Sequence, residues 1–341
     1  PPKAAAPKPP MRIRARTITS FVVREAVRNG YEGLDRPGTK MPGLAPGDPA
    51  SQPLPGGTKY QLRHARCEGA ETVNGQLAPL VHQDKTDPEK PRGLDIYGAV
   101  LLLDQTPDGG KMTVDGEPGR PGQVHHEDLS VVGPRVVIDQ LRNKMSVDGA
   151  GSLALPPGGS LTGADPGKKA DAKKAADDPP APPIVVHWRD KMEFEGALKW
   201  AEFVGRVRAT QGETSVVCHT MQVHFDKPVL FNTTRRPGAP EGGKTDAKVE
   251  KINCYAAPAD APDEPRGAQW VEYTEVARDP ATGVLAKWQF MRATEMEVFA
   301  RKFDPGAKEP YQEVVGTGPG EVRIWQLGEK EVARGPAAPA P

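Results

Sequence analysis

The sequence predicts an all-β, antiparallel fold, and three observations carry that prediction. Apolar and polar residues alternate with period two over long stretches. Strand-like segments end repeatedly in Asp-Gly or other glycine turns, where glycine accepts positive φ without a steric penalty. Helical periodicity is nearly absent.

The alternation starts in Arg-Ile-Arg-Ala-Arg (12–16) and runs to residue 23, with Ile13, Ala15, Phe21 and Val23 opposite Arg12, Arg14 and Arg16. Those arginines form a row about 7 Å apart along one strand face. Such a row is an ordinary charged outer face, or else a contact for anionic headgroups or an acidic partner edge. Two near-copies follow, GKMTVDG (110–116) and NKMSVDG (143–149), each a short strand closed by Asp-Gly. From Val186 to Gly196 the even positions Val186, Trp188, Met192 and Phe194 are apolar, whereas Arg189, Lys191, Glu193 and Glu195 are charged. Phe203, Gly205, Val207 and Ala209 then share a face opposite Arg206 and Arg208. Over 217–225, Val217, Met221, Val223 and Phe225 oppose Cys218, Thr220, Gln222 and His224, which places Cys218 away from the apolar wall. Gly205 and Gly212 are turn or bulge points in this segment. EMEVFA (295–300) and EVRIWQLG (321–328) continue the series.

A longer repeat relates residues 60–75 to 247–262, aligning Cys67 with Cys254. Each copy is followed by strands that close in a small-residue turn. The expectation is two related β units, 11–155 and 184–328. A disordered linker at 156–183 joins them, and its Lys, Asp, Ala and Pro content buries no core. Residues 1–10 and 329–341 are expected to be disordered tails, and long Pro/Gly-rich loops fall at 32–58, 234–248 and 257–267.

Composition excludes several classes. The 341 residues include 37 glycines and 38 prolines, so ordered blocks separated by loose loops are expected. With 45 basic and 45 acidic residues the formal net charge is zero; nucleic acid is not the expected partner. No apolar run reaches the length of a membrane helix. PPKAAAPKPP at the start has no apolar core of a signal peptide. A processed chain is therefore expected, with any export signal or anchor outside it. Cys67, Cys218 and Cys254 leave two readings open: three buried free thiols, or a Cys218–Cys254 disulfide in an oxidising compartment.

No catalytic constellation emerges. His125 and His126 point to opposite strand faces and cannot share an ion. His187, His219 and His224 have no partner at ligand spacing, so no metal is expected. Ser130, Ser146 and Ser215 lack nucleophile-elbow glycines. GEPGRPG (116–122) is a turn, because its prolines remove the donors a phosphate cradle needs. Glu193 and Glu195 share a strand face, a geometry open to glycosidase chemistry, but they lie opposite the apolar wall. With no uniform short repeat, a β-solenoid carbohydrate-active enzyme is disfavoured. The chain is expected to be non-enzymatic and to need no cofactor.

The order of these phrases resembles the OstA-like family, which includes the periplasmic bridge of lipopolysaccharide transport. FVGRV (203–207), ATQGET (209–214) and TMQVHFD (220–226) match one set of its phrases. MTVDGEPGRPGQV (112–124), VVGPRVVIDQ (131–140) and NKMSVDGAG (143–151) match another. The resemblance spans most of both halves, although this chain carries longer loops and more than one unit. It implies a β-jellyroll, or β-taco, of two antiparallel sheets with an apolar slot for acyl chains. Phe194, Phe203, Val207, Met221, Val223 and Phe225 would line that slot. It further implies a lipid or lipopolysaccharide-like glycolipid as ligand, envelope proteins or self as partners through edge strands, and a place in the periplasm or cell envelope. A structural scaffold that holds proteins through its edges, without lipid, is the alternative.

Overall fold

A computed structural model describes residues 11–26, 58–70, 72–73, 76–85, 93–106, 109–126, 129–155, 182–229, 248–258, 269–278, 282–302 and 311–326. The expected tails, linker and long loops lie outside these residues, except for a few flanking positions.

The first half contains β1 (Met11–Ile13), β2 (Thr17–Ala26), β3 (Thr58–Glu68), β4 (Thr72–Val73), β5 (Gln76–Leu77), β6 (Val81–Gln83) and β7 (Leu94–Tyr97). β8 (Val100–Thr106), β9 (Gly109–Asp115), β10 (Gly122–His126), β11 (Leu129–Gly133), β12 (Arg135–Asp139), β13 (Lys144–Asp148) and β14 (Gly151–Leu155) complete it. The second half contains β15 (Ile184–Trp188), β16 (Lys191–Glu195), β17 (Trp200–Gln211), β18 (Thr214–Phe225) and β19 (Val249–Tyr255). β20 (Val271–Arg278), β21 (Leu285–Ala293), β22 (Glu295–Lys302), β23 (Tyr311–Thr317) and β24 (Glu321–Gln326) follow. The fold is all-β and antiparallel, as the alternation predicts. Among the described residues helical structure is limited to 3-10 turn, at Gly196–Leu198 and at Gln269.

Twenty-two strands form one hydrogen-bonded sheet, with β4 and β5 paired apart. The pairings divide it into two branches. Branch I runs β2–β3–β8–β9–β12–β13–β16–β17–β18–β19–β22–β23. Branch II runs β1–β6–β7–β10–β11–β14–β15–β17–β18–β20–β21–β24. Only β17 and β18 belong to both, with one end of each in either branch. Elsewhere the chain crosses between branches at tight corners such as Gly98–Ala99, Pro134, Gly149–Ala150, Arg189–Asp190 and Thr294. A backbone seam ties the corners together. Arg16 N donates to Gly69 O at 2.8 Å, Gly69 N to Ala99 O at 2.9 Å and Ala99 N to Asp115 O at 2.8 Å. Gly116 N donates to Pro134 O and Gly149 N to Asp190 O, both at 2.8 Å, and Ala256 N to Thr294 O at 3.0 Å.

The inward residues stack in rows across the strands. In branch I the row next to the corner is Cys67, Leu101, Val114, Val136, Val147, Met192, Phe203, Met221, Cys254 and Met296, all buried. In branch II a row from Val81 through Ile96, Val124, Val131, Leu153, Val186, Ala209 and Val216 to Tyr273 is equally dry. Facing sheets with such rows form one apolar core. The near-copies KMTVD and KMSVD flank a single strand: Val114 and Val147 both pair with Val136, and Met112 and Met145 both pair with Ile138. Arg135 thereby stands opposite both Asp115 and Asp148. The two halves are continuous, since β13 pairs with β16 and β14 with β15.

The corner between branches in β17 is a bulge. Gly205 (φ +85°) and Arg206 (φ +46°) stand together opposite His219, between the pairs Val204–Thr220 and Val207–Cys218. This corrects the phase expected for β18. Val216 and Cys218 are buried and Val217 is 36% exposed, whereas Met221 is buried on the odd phase. The extra residue bends the hairpin at His219 and reverses which parity faces inward. Cys218 therefore lies in the core, not opposite the apolar wall. The expected arginine row is also broken, because β1 ends at Ile13 and β2 begins at Thr17 in the other branch. Phe21, expected to face inward, is 63% exposed.

Candidate functional site: the cleft between the branches

The six residues expected to line a slot come together on the inner faces. Phe194, Phe203, Val207 and Met221 are buried, and Val223 and Phe225 are half-buried against the same core. Near the corner the space is filled by the protein itself. Trp188 of branch II packs on Phe203 of branch I with ring centroids 5.4 Å apart, and its indole Nε1 donates to Gly149 O at 3.0 Å. Away from the corner Val223, Phe225 and Val249 are half-buried. Phe225 meets Phe194 edge-to-face at 6.0 Å, and Val249 pairs with Phe225 at the rim.

The opposite rim has a different chemistry. Counting outward along branch II from Val186, Ala209, Val216, Tyr273 and Met291 brings up Ile184, Gln211, Thr214, Glu275 and Gln289. Glu275 accepts a hydrogen bond from Tyr273 Oη at 3.4 Å and an ion pair from Lys287 Nζ at 3.0 Å. In the second half the cleft thus has an apolar wall in branch I and a polar rim in branch II. In the first half the branch II rim is apolar, at Leu94, Leu129 and Leu155. Period-two alternation did not reveal Glu275, Lys287 and Gln289 as inward residues. Lys287 and Gln289 lie on β21, which is half-buried on both faces and so carries no phase, and on β20 the charged residues Glu272 and Glu275 fall on opposite faces.

Cys218 and Cys254 come from the corner rows of opposite branches and are adjacent in the core as free thiols. Burial pushes the Cys218 thiol well up, and its interaction with the neighbouring Cys254 thiol adds to the rise. Cys67 is also a free thiol, raised by burial.

The remaining sequence candidates sit on outer faces or stand apart. His125 packs edge-on to Tyr97 at 5.8 Å and His126 is exposed. Among the described residues no group of three or more His, Cys, Asp or Glu could hold a metal. Glu195 is bound by Lys144 Nζ at 2.5 Å, and Lys191 lies between Glu193 at 3.6 Å and Glu202 at 3.7 Å. These carboxylates belong to an outer ion-pair ladder. Arg12 reaches Asp84 at 3.9 Å. Asp84 in turn contacts His82 Nε2 at 3.2 Å, whose Nδ1 is 2.7 Å from Asp95. The Asp95 hydrogen bond holds the His82 pKa above the ordinary imidazole value. At the β15–β16 corner, Arg189 grips Asp190 at 2.7 and 3.0 Å and holds its carboxyl below the usual range.

No family model matches this chain, and no curated protein sequence matches it.

Proposed function

We propose that the protein is a non-enzymatic member of the OstA-like group. In this reading it binds the acyl portion of a lipopolysaccharide-type glycolipid in the cell envelope. The observation that carries this reading is the amphipathic cleft of the second half. A wall of Phe194, Val223, Phe225 and Val249 faces a rim of Gln211, Thr214, Glu275 and Gln289. An amphiphile satisfies both walls at once, its chains taking the apolar side and its headgroup the polar rim. The dry corner rows act as the floor that keeps the branches apart. Chains therefore enter from the rim, at Phe225, and stop above Phe203 and Met221.

A second reading has its own support. The edge strands expose apolar side chains at both ends of the sheet, Ile18, Phe21 and Val22 on β2 and Val322, Ile324 and Trp325 on β24. Edges that have no second partner strand among the described residues join protein chains by strand addition, and a scaffold without lipid would use them.

Native mass spectrometry of gently purified protein, with photo-crosslinkers placed at Phe225 and Val249, distinguishes the two. The lipid reading expects a co-purifying amphiphile that crosslinks at both positions and is lost in Phe225→Asp. Lipid-free protein that never crosslinks to added lipopolysaccharide or phospholipid sinks that reading and leaves the scaffold.

A further inference from the structure

The strand ends of branch I that lie away from the corner form a rim with a chemistry of its own. Leu141, in the turn between β12 and β13, is 60% exposed, and Leu198, in the turn between β16 and β17, is 64% exposed. They are the two large exposed leucines among the described residues, and their turns are neighbours because β13 pairs with β16. With strands about 4.8 Å apart, the two tips stand about 10 Å from one another. Cations surround them: Arg142, Lys144, Lys199, Lys227 and Lys248 are all exposed. Residues 139–144, 195–199 and 226–229 together with Lys248 hold these five cations against three carboxylates, Asp139, Glu195 and Asp226, on a chain of zero net charge. Arg142 and Lys144 meet Asp139 and Glu195 at 3.6 and 2.5 Å. Lys199 Nζ instead donates to the Asp226 carbonyl at 3.2 Å, an uncharged acceptor that leaves its positive charge in place. Backbone hydrogen bonds join the tips to one another. Gly196 N donates to Asn143 O at 2.9 Å, Val229 N to Gly196 O at 3.0 Å, Phe225 N to Lys199 O at 2.9 Å and Asp226 N to Lys248 O at 3.0 Å.

We propose that this rim docks the protein on an anionic lipid bilayer, with Leu141 and Leu198 entering the interface and the lysines around them meeting headgroup phosphates. Apolar tips flanked by cations gain from two sources at such a surface: burial among the upper acyl chains and attraction to the negative leaflet. Lysine suits the task, because its stem covers apolar surface while its ammonium stays at the phosphates. The residue types also separate a membrane from an acidic protein partner. Four of the five cations are lysine, which is depleted at protein interfaces, and the exposed apolar residues are leucines rather than the aromatic anchors enriched there. The branch II tip of the same half differs, since Arg278 there donates twice to Glu213, at 2.6 and 2.9 Å, and the pair is neutral. Phe225 and Val249 stand at the lysine-bearing rim, so docking brings the mouth of the cleft to the bilayer. Docking uses the outer tips alone and does not rest on the cleft holding a lipid.

The test is co-sedimentation of the full chain with vesicles of phosphatidylcholine alone and of phosphatidylcholine mixed with phosphatidylglycerol, at low and at raised salt. The expected result is saturable binding to the anionic vesicles, none to the neutral ones, and a decline as salt shortens the screening length. Lys199→Gln and Lys227→Gln should each weaken binding by about fivefold, and Leu198→Ser by about tenfold. All three side chains are exposed, so denaturation midpoints should change little. Should a tip variant fail to fold, the lipid and salt comparison on the wild type decides. No binding at low salt, equal binding to neutral and anionic vesicles, or equal binding by wild type and folded variants overturns the proposal. Lysine-dependent capture on polyglutamate beads, without vesicle binding, overturns it in favour of an acidic protein partner. Crosslinking at Phe225 reads the cleft and co-sedimentation reads the tips, so either reading can fail without the other.

Discussion

In the first half of the molecule the corner row of branch II is glycine on four strands, Gly98, Gly122, Gly133 and Gly151; in the second half the same row carries Trp188, Val207, Cys218, Val271 and Ala293. Gly98, Gly122 and Gly133 let branch I side chains press directly on branch II backbone, and Gly151 makes room for the Trp188 ring. A Cβ on Gly133 would stand 2.2 Å from Val147 Cγ1, and one on Gly98 would stand 2.8 Å from Val114 Cγ1. In the second half side chains meet side chains, as Trp188 meets Phe203 and Cys218 meets Cys254. One repeated corner is thus packed in two ways, side chain on glycine in the first half and side chain on side chain in the second. The glycine row lies beside an apolar rim at Leu94, Leu129 and Leu155, and the row of larger residues lies beside the rim that carries Glu275 and Gln289.

The sharpest way to break this comparison is to remove the largest side chain of the second-half row. Trp188→Ala deletes a side chain that is 3% exposed and its hydrogen bond to Gly149. It should cost about 3–5 kcal/mol in chemical denaturation. A loss below about 1 kcal/mol would mean that Trp188 does not carry the side-chain packing of this corner. Next comes the glycine row itself. Gly133→Ala should cost about 1–3 kcal/mol through overpacking against Val147, whereas Ala293→Gly, at the same row in the second half, should cost about 1 kcal/mol. Equal midpoints for the two variants would erase the distinction between the two packings.

The smallest expected effects are electrostatic, and they run in opposite directions. The folded pKa of Asp190 is depressed, chiefly by the Arg189 hydrogen bond. Its contribution is present above the unfolded carboxylate value and lost as pH falls through the folded one. The folded pKa of His82 is raised, chiefly by Asp95. That contribution is full below the unfolded imidazole value and lost as pH rises through the folded one. Denaturation midpoints across pH should show Asp190→Asn flattening the acid limb and His82→Gln flattening the near-neutral decline. Unchanged limbs in both variants would remove these ion pairs from the account of stability. Both groups are partly exposed, so neither slope should rival the core substitutions.

Much of the fold was legible because a strand with one wet face records its orientation residue by residue. Val186, Trp188, Met192 and Phe194 alternate with charges, and all four are buried. The inward orientation of Phe203, Val207 and Met221 was readable for the same reason, and all three are buried. The phase of Cys218 was not, because the bulge at Gly205 and Arg206 acts on the neighbouring strand: nothing within 214–218 reports a reversal at His219. The polar rim at Glu275 and Gln289 was hidden as well: β21 is partly buried on both faces, and on β20 the charged residues Glu272 and Glu275 fall on opposite faces.

The amino-acid order by itself determined the secondary structure, the antiparallel class and the inward phase of most strands. These follow from local alternation and from turn residues that act within a few positions. Only the tertiary structure decided that the halves join into one sheet, that glycines from four separate strands align as a closed corner, and that Cys218 approaches Cys254 across the branches. Each of these depends on strand register between distant segments. Register is set by packing across the whole core, and no local stretch of chain encodes it.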